Sequence, residues 1–165
     1  MLFRSKLDVG EQIFHFEVCD INELSRNILA DWIPILENNH FSYEIHISEK
    51  ECHIAVDVSA FTRIFDNLLQ NMITHSNGSQ VDFTLTEDEL QAIITISDNG
   101  KGISEIDLPH IFERFYLSNY SRSTRGNGLG LSIVKELINM HKGKITVESI
   151  QGVKTSFIIT LPKVA

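Results

Sequence analysis

The run Asp98-Asn-Gly-Lys-Gly-Ile103 closes an alternating segment, Ala92-Ile-Ile-Thr-Ile-Ser97, and a period of two puts Asp98 on the same face as Ala92, Ile94 and Ile96. A carboxylate on that face points inward. Burying it ionised costs several kcal/mol unless a donor meets it, and glycines at 100 and 102 clear side chains from the space beside it. That chemistry suits a ligand carrying an amino group. The competing reading is local, because Asp is common in turns and Asp98 would equally cap Asp-Asn-Gly-Lys with no ligand present.

A second group of residues suits phosphate. Gly126, Gly128 and Gly130 precede an apolar helical segment, so backbone N–H groups near a helix N-terminus are free of side-chain cover and the helix dipole favours negative charge there. No Lys-Ser/Thr follows, which excludes a P-loop, and no strand feeds the run directly, which excludes a dinucleotide fingerprint. Glycines also simply end loops, so this run alone is unspecific.

The elements that must position these residues follow from periodicity. Ile13-Phe-His-Phe-Glu-Val18 alternates as a strand. Asp20 and Glu23 then form a capping-box-like start for a helix to about Asn39 with the stripe Ile21, Leu24, Ile28, Trp32, Ile35 and Leu36, and Pro34 predicts a kink or an early end near Ile33. Strands are expected at Tyr43 to Ile47 and His53 to Val56. A helix from about Ser59 buries Phe61, Ile64, Phe65, Leu68, Leu69, Met72 and Ile73, leaving Arg63, Asn67, Gln70, Asn71 and Thr74 on the opposite stripe. Strands at Gln80 to Thr86 and Gln91 to Ser97 make a hairpin through Glu87-Asp-Glu89, and a long connection runs from Lys101 to about Asn127. A helix over Leu129 to Met140 and strands at Lys144 to Glu148 and Lys154 to Leu161 complete the chain. Such an order implies an α+β fold, a mixed sheet with helices on one face. A connection of that length inside a compact domain is normally functional.

Read together, five segments resemble the catalytic ATP-binding domain of sensor histidine kinases. Asn67-Leu-Leu-Gln-Asn71, Asp98-Asn-Gly-Lys-Gly102, Ile111-Phe-Glu-Arg-Phe-Tyr116, Gly126-Asn-Gly-Leu-Gly-Leu-Ser-Ile-Val134 and Gly152-Val-Lys-Thr-Ser-Phe157 stand in the order of its N, G1, F, G2 and G3 boxes. One box would be weak; five in order are specific. The resemblance implies the two-layer α/β sandwich (Bergerat-type) of the kinase, gyrase, Hsp90-like and MutL-like ATPase group. It makes residues 13–165 the catalytic domain, 1–12 the tail of a preceding dimerisation domain plus a linker, and the 104–127 region a long, mobile ATP lid.

It also implies the ligands ATP and Mg²⁺. Asp98 would accept from the exocyclic amine of adenine, with Thr155 assisting through water; on its own Thr155 is an ordinary strand threonine. Asn71 offers an amide oxygen suited to Mg²⁺. Asn67 would contact phosphate or only shape the helix, and His75 on the same face would approach ribose or phosphate, although a lone His is usually structural or solvated. Gly100, Gly102 and Ile103 line the base pocket, and Gly126, Asn127, Gly128, Leu129, Gly130 and Leu131 the phosphate side. No residue is assigned as catalytic outright; Arg122 and Arg125 are candidate phosphate contacts, with Arg114 behind them, and lid arginines are often merely solvated. Phe112 and Phe115 would anchor the lid in the core.

Several positions depart from the family pattern. Thr74 and Leu117 occupy places usually held by basic residues, Arg125 replaces the first of the paired G2 glycines, and Lys154 replaces the second G3 glycine. Because phosphoryl transfer depends on positioned charge, a nucleotide-binding module without catalysis stays open, as does an ATPase or serine kinase of the same fold. None of the seven histidines is followed by the acidic-Leu-basic pattern of the dimerising helix. The expected partner is therefore a histidine-containing dimerisation domain of the parent kinase, with a response regulator further on, and the fragment itself is expected to be monomeric.

A net charge of −8 offers no basic surface for nucleic acid. No apolar run reaches 18 residues, so the expectation is a cytoplasmic domain whose parent is anchored in a membrane. Cys19 and Cys52 lie in apolar strand-like contexts without ligand spacing and read as reduced core thiols.

Overall fold

The computed structural model describes residues 13–116 and 130–164. Strand β1 (Glu17–Asp20) leads into helix α1 (Ile21–Asn38), followed by β2 (Ser42–Ile47), β3 (His53–Val56), α2 (Val58–His75), β4 (Gln80–Glu87), β5 (Gln91–Asp98), α3 (Gly130–Met140), β6 (Lys144–Ile150) and β7 (Lys154–Pro162). Five strands form one sheet in the order β2-β4-β5-β7-β6; β2 and β4 are parallel and the remaining pairs antiparallel. β1 and β3 make a separate two-stranded antiparallel sheet.

Burial alternates along β4 and β5, with Val81, Phe83, Leu85, Ala92, Ile94 and Ile96 all buried. That face packs with the apolar stripes of the helices: Ile28, Leu29, Trp32 and Leu36 of α1, Phe61 to Met72 of α2, and Val134, Leu137 and Ile138 of α3 share the core with them. The result is a mixed sheet covered on one face, the α/β sandwich expected. α2 is fixed at its start by Asp57, whose Oδ1 accepts from Ala60 N–H at 2.8 Å. It is fixed laterally by Trp32 of α1, whose indole donates to Asp66 at 2.8 Å.

Four local expectations are corrected. The first strand is not residues 13–18, because ladder pairing begins at Glu17, opposite Val56. The preceding stretch is tied elsewhere: His15 N–H donates to the Asp57 carboxylate at 2.8 Å, and the Phe16 ring meets His141 edge-on at 5.0 Å. Of the kink or early end expected at Pro34, the early end does not occur, since α1 continues to Asn38. Proline removes one i→i−4 bond, but Trp32 and Leu36 on either side of it are buried, and that packing outweighs the loss. The helix turns Ile35 outward, where it is 40% exposed. Asp20 caps α1 through Asn22 N–H at 3.1 Å, whereas Glu23 pairs with Arg26 rather than closing a capping box. Both cysteines are free, Cys52 buried and Cys19 half-buried.

Candidate nucleotide site

Asp98 is the last residue of β5, opposite Val81 on β4 and Thr155 on β7. Its side chain is 5% exposed, on the buried face with Ala92, Ile94 and Ile96. Among the described residues one donor reaches the carboxylate: Gly100 N–H, at 2.8 Å to Oδ1. The turn-capping role and the inward carboxylate are thus both present, in one side chain. Burial raises its pKa to about 6, the Gly100 bond opposing the shift. Oδ2 has no donor among the described residues.

The loop after Asp98 is locked by backbone. Lys101 N–H donates to Ser76 O at 2.8 Å, at the C-terminal end of α2, and Gly152 N–H to Lys101 O at 2.6 Å, from the β6–β7 hairpin. A Cβ on Gly100 would stand 2.2 Å from Ser76 O, and Gly102, at φ +72°, would bring one to 2.6 Å from Ile150 O. Beside the expectation that they clear space for a ligand, the structure shows a further reason for glycine at both positions: they let the loop approach α2 on one side and the hairpin on the other. Ile103 follows, buried, with its N–H donating to Ser149 Oγ at 2.7 Å.

Asn67, Asn71 and His75 recur every four residues along α2 and are all half-buried. Neither asparagine side chain hydrogen-bonds another described residue, so their amide groups are available to a ligand. Burial first, then the Lys101 charge, lowers the His75 pKa, which keeps this ring neutral near pH 7. Gly130 opens α3 with its pro-Cβ position 3.8 Å from Asn67 Oδ1, and Leu131, half-buried, packs against the core. The structure therefore joins the last glycine of the G2 run to the N-box helix and the G1 loop to the C-terminal end of that helix. An oxygen-rich stripe of amides beside a helix N-terminus fits Mg²⁺ and phosphate oxygens.

Thr155 is buried directly opposite Asp98, and Ser149 is opposite Thr155 on β6, so the three side chains form a row across three strands. Ser149 was missed by the sequence reading. Its only signal was a place across the hairpin from Thr155.

Gly126, Asn127, Gly128, Leu129, Leu117, Arg122 and Arg125 lie outside the described residues, as do residues 1–12. The described part of the connection after β5 holds a short 3-10 turn, Leu108–His110, braced by Asp107, which accepts from Ser104 Oγ at 3.0 Å and from Tyr116 Oη. Phe112 meets Phe157 edge-on at 6.3 Å, as an anchor would. Phe115 does not: it is 59% exposed, at φ +67°, with the Arg114 guanidinium 4.8 Å over its ring. Thr74 is exposed and accepts from Gln70 Nε2 at 3.0 Å.

Comparison with known proteins agrees with this geometry. The family described as histidine kinase-, DNA gyrase B-, and HSP90-like ATPase matches residues 56–165. Sensor histidine kinase RppB of Synechocystis sp. is 35% identical over 98% of this chain and 36% of that protein. Sensor histidine kinase YvrG of Bacillus subtilis is 37% identical over 84% of this chain and 24% of that protein. The chain thus spans about a third and a quarter of these two relatives. Among solved structures, the mycobacterial sensor histidine kinase MprB aligns with TM-score 0.78 and 29% identity over 89% of this chain and 98% of that one. The catalytic domain of histidine kinase ThkA aligns with TM-score 0.78 and 24% identity, over 90% of this chain and 98% of that one, which speaks for the fold. With the five boxes, the buried Asp98 and the mixed five-stranded sheet, these matches establish that the chain belongs to the histidine kinase-, DNA gyrase B- and HSP90-like ATPase family, as a catalytic domain of the sensor histidine kinase type.

Proposed function

We propose that this chain binds Mg·ATP and donates the γ-phosphoryl group to a histidine on a separate dimerisation domain of a parent sensor kinase, from which it would pass to a response regulator. The observation that carries this reading is Asp98: a carboxylate 5% exposed, with one backbone donor on Oδ1 and none of the described residues on Oδ2. A 6-amino group supplies the missing donor, and one charge-assisted hydrogen bond in such a place is worth about 1.5–3 kcal/mol. Thr155, one strand over, adds a second polar contact to the same edge of the base.

Asn71 would hold Mg²⁺ through its amide oxygen, with Asn67 and His75 beside it on α2. When bound, the ion neutralises charge on the phosphate oxygens. The residues of the chain orient the base at one end and the phosphates at the other, along α2 and the start of α3. Arg122 and Arg125 are the cations proposed to face the phosphates. A neutral His75 donates or accepts one hydrogen bond without adding charge.

Thr74 supports a second reading. It stands where relatives of this type commonly carry a base, it is exposed, and its hydroxyl is engaged by Gln70, so no cation acts there. A domain that holds nucleotide only as a regulatory module would share every feature of the adenine site. Calorimetry with ATP and GTP tests the first step: ATP binding in the presence of Mg²⁺ with clear preference over GTP is expected, and equal affinity would remove the adenine assignment.

A further inference from the structure

The Ser149 hydroxyl sits where three groups converge. It accepts from Ile103 N–H at 2.7 Å, donates to Lys154 O at 3.1 Å, and lies 3.3 Å from Thr155 Oγ1. A serine has one hydrogen to give. The Lys154 carbonyl can only accept, so the hydrogen goes there, and the remaining lone pair of Ser149 receives the Thr155 hydroxyl hydrogen. Thr155 is thereby held with its own lone pairs turned away from Ser149. The Asp98 carboxylate on the neighbouring strand is an acceptor as well. Two acceptors side by side call for a group with hydrogens to give, a primary amine or an amine with a bridging water, and disfavour a base edge that only accepts.

We propose that Ser149 is a positioning residue for base selection: it fixes the polarity of the Thr155 hydroxyl and, through Ile103 N–H, holds the loop after Asp98 against the β6–β7 hairpin. This rests on the adenine reading above. Ser149 is half-buried and does not itself touch the base; it acts through Thr155 and Ile103. Its loss would free the Thr155 hydroxyl to rotate into a donor and leave the N–H of Ile103, a residue only 6% exposed, without a partner.

The test compares calorimetric affinities of the whole chain for ATP and for the purine riboside triphosphate that lacks the 6-amino group. Wild type should prefer ATP by roughly 10- to 100-fold, as one charge-assisted hydrogen bond implies. Ser149→Ala should weaken ATP about fivefold and the analogue less than about twofold, the loss of one neutral hydrogen bond felt only by the amine-bearing base. Ser149→Thr, which keeps the hydroxyl, should restore the preference. Equal loss for both nucleotides, which loosening of the loop after Asp98 alone would give, or none for either, would overturn the base-selection role. If wild type itself fails to discriminate, the adenine reading falls first, which separates the two failures. Should Ser149→Ala not fold, Ser149→Cys keeps the shape with weaker hydrogen bonds; the same narrowing is expected, and an unchanged ratio would overturn the proposal.

Discussion

Replacing Asp98 by asparagine should make the empty protein more stable while weakening its hold on ATP. The carboxyl titrates at about 6 when folded against an ordinary 3.8, because burial disfavours the charged form more than Gly100 N–H favours it. The folded state therefore binds this proton more tightly than the unfolded state does. At about 1.36 kcal/mol per pKa unit, ionised Asp98 costs the fold about 3 kcal/mol above pH 6. The cost falls to about half near pH 5 and vanishes below 3.8. Asparagine keeps the oxygen that accepts from Gly100 but brings an amide N–H₂ needing its own partner, which returns about 1 kcal/mol of the gain. The net is about 1–3 kcal/mol, or a melting temperature roughly 3–10 °C higher at pH 8 and a smaller difference at pH 5. ATP binding should weaken roughly 10- to 100-fold, so the ATP-induced rise in melting temperature shrinks. Calorimetric melts of both proteins at the two pH values, with and without Mg·ATP, make the check. A variant less stable than wild type at pH 8, or a stability gap independent of pH, would refute the reasoning.

His141 should give the opposite pH trend. Burial lowers its pKa, its Nδ1–H donates to Leu137 O at 2.7 Å and its Nε2 accepts from Asp57 N–H at 3.2 Å, so the fold needs the neutral ring. Its contribution is present above the unfolded value near 6.5 and lost as pH falls through the lower folded value; denaturant titrations should show His141→Gln flattening that acid-side decline. Gly100→Ala should unfold or destabilise the chain by roughly 3 kcal/mol or more, since its Cβ would meet Ser76 O at 2.2 Å. Gly152→Ala, at φ +82° with open space around it, should cost only about 1 kcal/mol in the same titration. Thr74→Lys, alone or with Leu117→Arg, should speed phosphotransfer to a supplied acceptor more than it changes ATP affinity, because charge developed in the transition state gains most. No acceleration in radiolabel transfer, with Arg122→Ala and Arg125→Ala both losing it, would place that charge on the lid arginines instead.

The strands that carry the candidate site were legible because alternation survives where one face is buried: Ala92, Ile94, Ile96 and Asp98 fall on a single side, as a period of two requires. The Asn67, Asn71 and His75 stripe was legible for the same reason at a helical period. The early end expected at Pro34 does not occur because a local rule about one lost backbone bond cannot see Trp32 and Leu36 held in the core on both sides of it. Residues 13–16 alternate like a strand, yet His15 is tied to Asp57 and Phe16 meets His141, and strand pairing starts only at Glu17. The role of Gly100 and Gly102 was hidden because close approach to Ser76 O and Ile150 O joins segments far apart in sequence. Ser149 stayed invisible for a related reason. Its position matters only through the register that puts it opposite Thr155 and through a loop hydrogen bond from Ile103.

The proposed transfer of the γ-phosphoryl group of ATP to a histidine on a separate domain can be followed directly. The most direct measurement mixes the chain with γ-labelled ATP, Mg²⁺ and a separately produced histidine-containing dimerisation domain, and follows label at neutral pH and after acid treatment, which cleaves phosphohistidine. The account predicts acid-labile label on the added domain, none on the chain alone, and loss of transfer with Asp98→Asn. Intact ATP binding with no label on acceptor domains from several of the related sensor kinases would contradict it and favour the non-catalytic nucleotide-binding module.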